Sequence, residues 1–126
     1  TKMKTAVVYW SGTGNTEAMA RAVAEVAPGD LNAYAAIAFG CPAMGAEVLE
    51  ETEFQPMFDA CKRSLGGKRV ALFGSYGWGD GEWMRSWEKD CDDAGINRVC
   101  GSITCCEAPD DDVLAACQAM GRKLAE

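Results

Sequence analysis

The sequence predicts an α/β fold, a doubly wound parallel sheet held between two layers of helices. Three observations lead there. Strand-length apolar or β-branched runs alternate with stretches of helical periodicity along the whole chain. The run Ala35-Ala36-Ile37-Ala38-Phe39 is apolar at every position, as a strand buried on both faces must be. Three of the strand-like runs are followed by loops with glycine, Ser11–Thr16, Pro42–Glu47 and Ser75–Gly81. In open parallel sheets such loops gather beyond the carboxyl ends of the strands, where ligands bind.

Taken in order, Thr5–Trp10 is the first strand, β-branched and aromatic. A helix follows, with Met19, Ala22, Val23 and Val26 on one stripe, ending near Pro28-Gly29. Ala35–Phe39 is the next strand. Phe54–Leu65 reads as a helix with Phe54, Met57, Phe58, Cys61 and Leu65 facing inward, and Gly66-Gly67 stops it. Lys68–Phe73 is a third strand, and Gly74–Gly81 is read as loop throughout. Glu82–Ala94 is a helix closed by Gly95, with Trp83 and Trp87 four apart as packing residues. Arg98–Cys106 contains the last strand. Asp110–Leu124 is the last helix, with Asp110, Asp111 and Asp112 in its first turn, where carboxylates suit the dipole. That makes four strands, with no internal repeat and no low-complexity linker.

The 126 residues are read as one domain, residues 1–126. Apolar content of 48% and charged content of 25% are those of a soluble globular protein. No apolar run approaches the ~20 residues of a membrane helix. No basic, apolar leader opens the chain, so a cytoplasmic protein without membrane contact is expected. The net charge of −7 argues against nucleic acid and permits a basic protein partner. The seven cysteines include no Cys-x-x-Cys, and there is no histidine. A metal site is therefore not expected, and the thiols are read as mostly reduced. Cys105-Cys106 is weak support for redox chemistry by adjacency alone.

The stretch Ser11-Gly12-Thr13-Gly14-Asn15-Thr16-Glu17 links a strand to a helix start. There the first N–H groups lack partners and the dipole is positive, so a phosphate fits. No Lys or Arg lies between Thr5 and Ala20, leaving only backbone N–H groups, the hydroxyls of Ser11, Thr13 and Thr16, and the Asn15 amide. The P-loop is excluded because no Lys follows the glycines, and the dinucleotide fingerprint because Glu17 stands where its third glycine belongs. An ordinary turn capped by Thr13 or Asn15 remains the alternative. The second loop offers Met44-Gly45 and the carboxylate of Glu47. The third offers Tyr76 and Trp78 beside Gly77 and Gly79, and a flat heterocycle stacked on Trp78 would cover an otherwise exposed indole. Packing of Trp78 on its own domain is the alternative. Together the loops suit a mononucleotide with a large ring.

Tyr9-Trp10-Ser11-Gly12-Thr13-Gly14-Asn15-Thr16-Glu17, Gly40-Cys41-Pro42-Ala43-Met44-Gly45 and Leu72-Phe73-Gly74-Ser75-Tyr76-Gly77-Trp78-Gly79 resemble short-chain flavodoxins of clostridial type. The resemblance runs over nearly the whole chain. It implies a three-layer α/β/α sandwich and non-covalent FMN that carries one electron at a time at low potential, through a neutral semiquinone to the hydroquinone. Ser11, Gly12, Thr13, Gly14, Asn15 and Thr16 would hold the phosphate, with Ser75 a further contact. Trp78 would stack on one ring face and Met44 on the other, within the loops Pro42-Ala43-Met44-Gly45-Ala46-Glu47 and Tyr76-Gly77-Trp78-Gly79. Gly45 would turn its carbonyl to the reduced N5 by a peptide flip that a residue without Cβ makes cheaply. Glu47 would bond the pyrimidine end. Pro42 stands where some relatives carry a serine.

The implied function is an electron carrier with no catalytic residue. Its partners would be reductases and oxidoreductases that otherwise use ferredoxin, and it would be a monomer. The alternatives are a flavoprotein activator of an enzyme such as ribonucleotide reductase, or a docking module without flavin. Glu47, Glu50, Glu51, Glu53, Asp80 and Glu82 would form the docking face, their alternative being a solvated loop surface. Trp10, beside the phosphate loop, is left open. The family strand order is 2-1-3-4-5, and the segment Glu25–Leu31 arrives too soon, so strand two is missing. A direct crossover from strand one to the other side, with the first helix in its usual place, would be left-handed. Either the helix changes face, or chains exchange elements, or the sequence omits a stretch near Arg21–Val26, which is the reading favoured here.

Overall fold

In the computed structural model, which describes residues 5–12, 14–26, 36–44, 48–62, 65 and 67–125, strands and helices alternate as expected. The elements are β1 (Thr5–Tyr9), α1 (Asn15–Val26), β2 (Ala36–Gly40), α2 (Phe54–Cys61), β3 (Arg69–Tyr76), α3 (Glu82–Asp93), β4 (Asn97–Arg98), β5 (Ile103–Cys106) and α4 (Asp111–Ala125). All strand pairs are parallel. β1 pairs β2 from Thr5↔Ala36 to Tyr9↔Gly40, and β2 pairs β3 from Ala36↔Arg69 to Gly40↔Phe73. β4 and β5 lie one after the other along the far side of β3.

Two expectations about the strands are corrected. The last strand is two pieces, giving five strands among the described residues rather than four. The break covers residues 99–102, where Ser102 Oγ donates to the Glu88 carboxylate of α3 at 2.6 Å. The third strand continues past Phe73 through Gly74, Ser75 and Tyr76, where the sequence predicts loop. β5 supplies the partner that keeps the ladder going, from Phe73↔Ile103 to Tyr76↔Cys106. Gly74 sits in that ladder because a Cβ there would overlap the Cys41 carbonyl oxygen. Its presence therefore marks close backbone approach rather than a turn. The helix predicted over Phe54–Leu65 ends at Cys61.

The sheet is covered on both faces. On one face, α2 and α3 bury Phe54, Phe58, Trp83, Met84 and Trp87 against Ile37, Phe39, Val70 and Leu72. Phe39 meets Phe58 edge-on at 5.1 Å, and Trp87 meets Phe54 and Phe58 edge-on at 5.5 and 5.6 Å. Such pairs add about 0.5–1.5 kcal/mol each beyond burial. On the other face, α1 and α4 bury Met19, Ala20, Ala22, Cys117, Met120 and Leu124 against Ala36, Ala38, Ala71 and Phe73. Val23 and Val26 were predicted on the same stripe, and their side chains lie outside the described ones. Asp110 is the cap of α4 rather than part of its first turn, its Oδ1 accepting the Val113 N–H at 2.9 Å.

The first helix has not changed face. α1 lies beside α4, opposite α2 and α3, although β1 to β2, β2 to β3 and β3 to β4 all step the same way across the sheet. The β1–α1–β2 connection therefore has the opposite hand to the two that follow it. Parallel crossovers are overwhelmingly of one hand. β1 is the edge of the sheet among the described residues.

Candidate functional site

The carboxyl ends of β1, β2, β3 and β5 converge on one cleft. At the first, Ser11 Oγ accepts the amides of Gly14 and Glu17, both at 3.2 Å, and Gly14 adopts a φ of 93°. The start of α1 is thus capped by Ser11 rather than by Asn15, because the loop curls back over its own serine; Thr13 lies outside the described residues. Thr16 is buried and bonded to Ser75, Oγ to Oγ at 3.2 Å, while the Ser75 amide donates to Thr16 Oγ1 at 3.4 Å. That pair fastens α1 to β3. Trp10 lies under the loop, its ring 3.2 Å from where a Cβ on Gly12 would be, and its Nε1 donates to Glu53 at 3.1 Å.

The second loop is closed at its base. Ala43 donates to the Ser75 carbonyl at 3.0 Å. Met44 and Val48 exchange two backbone bonds, at 2.8 and 3.0 Å. They bracket Gly45, Ala46 and Glu47, which lie outside the described residues. Cys41, fully buried, accepts the Glu50 amide on its sulfur at 3.4 Å, and its carbonyl accepts Trp83 Nε1 at 3.0 Å.

Glu50 is a correction to the expected docking face. It is only 6% exposed. Its carboxylate accepts the Thr52 hydroxyl and the amides of Thr52, Glu53 and Phe54, the last three at 2.9, 2.7 and 2.8 Å. A carboxylate at a helix start is favoured by the free N–H groups and the dipole, so α2 consumes this charge. The Thr52 hydroxyl above all, then the three amides, hold its pKa down to about 2. Because the folded value lies below the unfolded one, the stabilisation is complete above about pH 4.5. It fades as pH falls towards about 2. Glu50→Gln should therefore lower stability at pH 7 and flatten the loss of stability between those two pH values. Urea midpoints across that range measure it, and parallel wild-type and variant curves would refute it.

At the third strand, Tyr76 leans on Trp83 with ring centroids 5.5 Å apart. Beyond it the chain turns through Gly79 and Gly81, both at positive φ, and leaves Trp78 63% exposed. Met44 and Val48 are the other exposed apolar side chains of this rim, at 36% and 38%.

The cleft has a volume of about 250 Å³ and is lined by Gly12, Asn15, Pro42, Ala43, Met44, Ser75, Tyr76, Gly77 and Glu107. The predicted residues thus meet from three loops. Thr16 is buried behind the wall, Ser11 is half-buried and Gly14 exposed beside it, and Trp78 and Gly79 lie beyond it on the third loop. No described lining residue is cationic. Gly77 has no protein atom within 4 Å of a would-be Cβ, and its φ does not demand glycine. The space beside it belongs to the cleft. An exposed indole, a helix start with no cation and that open space fit an FMN molecule. Glu107 joins the lining from a fourth segment that the sequence does not mark, because β5 also ends at this edge, at Cys106.

A family model of flavodoxin matches residues 7–120. The chain belongs to the flavodoxin family. The flavodoxin of Megasphaera elsdenii is 40% identical over 136 aligned positions, covering 95% of this chain and 97% of its own. That of Clostridium beijerinckii is 40% identical over 135, covering 94% and 97%. The solution structure of two-electron reduced Megasphaera elsdenii flavodoxin superposes with a TM-score of 0.81 at 39% identity, over 96% of this chain and 98% of that one. An archaeal flavodoxin gives 0.81 at 28% identity, over 98% and 96%. The 136 positions exceed the 126 residues, so at least ten residues of the Megasphaera flavodoxin lie opposite gaps. Flavodoxins hold FMN and transfer electrons to redox proteins without converting a substrate of their own, and this chain is an electron-transfer protein of that kind.

Among the described residues, no helix is long and apolar enough to cross a membrane. All seven cysteines are free. Burial raises Cys41, Cys91 and Cys117 to about 12 and Cys105 to about 11, which suits packing rather than thiolate chemistry. Cys106 is exposed.

Proposed function

We propose that this flavodoxin works as a single cytoplasmic domain over residues 1–126, a monomer that shuttles electrons between larger proteins, namely reductases and oxidoreductases that otherwise use ferredoxin. FMN, when bound, supplies the uptake and release of single electrons. The reading is carried by the cleft, which runs from a helix start without a cation to an exposed tryptophan.

In this reading the loop of Ser11, Gly12, Thr13, Gly14 and Asn15 holds the phosphate by backbone amides and hydroxyls. Thr16 acts on it from behind, fixing α1 to β3 through its bonds to Ser75, which lines the cleft itself. Met44 and Trp78 flank the ring, Gly45 turns its carbonyl toward N5 and Glu47 bonds the pyrimidine end. A phosphate with no cationic partner, in a chain of charge −7, disfavours further negative charge on the ring and lowers the potential of the second electron. Titrating apoprotein with FMN tests the site. One flavin per chain, with quenched emission, is expected, and no binding would overturn the reading.

The docking face is redrawn by the ion pairs. Glu50 is buried, and Asp80 and Glu82 both bond Arg85, at 2.9 and 2.8 Å. Glu53 takes the Trp10 indole. The attraction to a basic partner is therefore diffuse, from net charge rather than from six bare carboxylates. Reduction by a basic reductase should slow as salt rises, since screening acts within about 10 Å at 0.1 M. A rate independent of salt would remove electrostatic steering from the account.

A further inference from the structure

Glu107 combines three properties that its surroundings do not require. It is the one non-glycine at positive φ among the described residues, at 61°. It lines the cleft. Among the described residues no cation pairs with it. A left-handed backbone is easy for glycine and tolerated by asparagine, and a glutamate there is strained. The conformation is nevertheless held at both sides of the peptide. The Glu107 amide donates to the Tyr76 carbonyl at 2.7 Å, and its carbonyl accepts the Cys105 thiol at 3.5 Å. Strain that the neighbouring structure enforces is characteristic of residues that serve a site.

Its neighbours along the wall say which part of the cofactor it meets. Gly12 and Asn15 belong to the helix-start end of the cleft, and Ser75, Tyr76 and Gly77 lead toward the exposed indole. Glu107 lines this same cleft, tied by its amide to Tyr76, midway along that run of wall residues. A carboxylate cannot serve a phosphate, which shares its charge, and the polyol between phosphate and ring consists of hydroxyl donors. An ionised carboxylate is an acceptor only, with two oxygens able to take several such bonds, and charged acceptors make the stronger ones. We propose that Glu107 is a cofactor-binding residue whose carboxylate accepts hydrogen bonds from the ribityl hydroxyls of FMN. This rests on the reading of the cleft as the FMN site.

The test pairs two ligands with three proteins. The ligands are FMN and an isoalloxazine carrying a plain five-carbon phosphate chain without hydroxyls. The proteins are wild type, Glu107→Gln and Glu107→Gly, the last relieving the backbone. Affinities come from flavin fluorescence, and melting of the apoproteins reports folding. FMN should bind about tenfold more weakly to Glu107→Gly and several-fold more weakly to Glu107→Gln, the range of a hydrogen bond to a charged group. The chain analogue should bind all three within about twofold, as expected when the contact it would lose is already absent. The Glu107→Gly apoprotein should melt no lower than wild type. Equal weakening of both ligands, or none of FMN, would overturn the proposal and leave Glu107 a turn residue. Failure of wild type to bind FMN would instead overturn the cofactor reading itself.

Discussion

Trp78→Ala should weaken FMN binding by about 10- to 100-fold, the range that follows when an aromatic stacking partner is removed. It should also restore emission to whatever flavin stays bound. The indole is 63% exposed on a loop whose glycines bend the chain away from the sheet, so nothing in the described protein replaces the stacked ring as its cover. Trp83 and Trp87 are 1% and 2% exposed in the core, and their substitution should act on folding first. Fluorescence titration separates the cases. Unchanged affinity together with unchanged quenching in Trp78→Ala would remove this residue from the ring site.

Gly74→Ala should destabilise the protein by about 3 kcal/mol or more, at the upper end of overpacking costs. A Cβ there would overlap the Cys41 carbonyl oxygen, which is backbone, and would lie 3.2 Å from Trp83 Cζ2. Neither can retreat easily, because that same carbonyl accepts the Trp83 indole and Cys41 closes the base of the second loop. Gly77→Ala, three residues on, should leave apoprotein stability nearly unchanged, since nothing lies within 4 Å, while obstructing FMN. Denaturant midpoints of the two apoproteins test the contrast. Equal stability of Gly74→Ala and wild type would mean that the two strands part more readily than their packing implies.

The architecture was legible because the signals are local. The wholly apolar run at Ala35–Phe39, short and set between helical stretches, reads as a doubly buried strand, and Trp83 with Trp87, four apart, as one helix face. The cleft was legible in outline because loops after parallel strands share one end of the sheet. What could not be read depends on approach between distant segments. Gly74 looked like a turn glycine, and only the proximity of Cys41 makes it a strand residue. Glu50 looked like one carboxylate in an acidic surface, whereas the start of α2 folds around it. Glu107 carries no sequence signal of its own, because the left-handed backbone arises where β5 meets Tyr76. The hand of the first connection was foreseen as a conflict, and it appears in the fold as one.

The edge position of β1 has a consequence for how the protein responds to its cofactor. Among the described residues this strand is held by one neighbour, whereas β3 is held on both sides. Yet β1 delivers Ser11 and Gly12 to the phosphate end of the cleft. Ligand binding stabilises whatever must be in place to bind. The phosphate would therefore act as a clasp on the part of the sheet with least support of its own. Loss of FMN would loosen the margin of the molecule before its centre, so that β1 frays while the β2–β3 core persists.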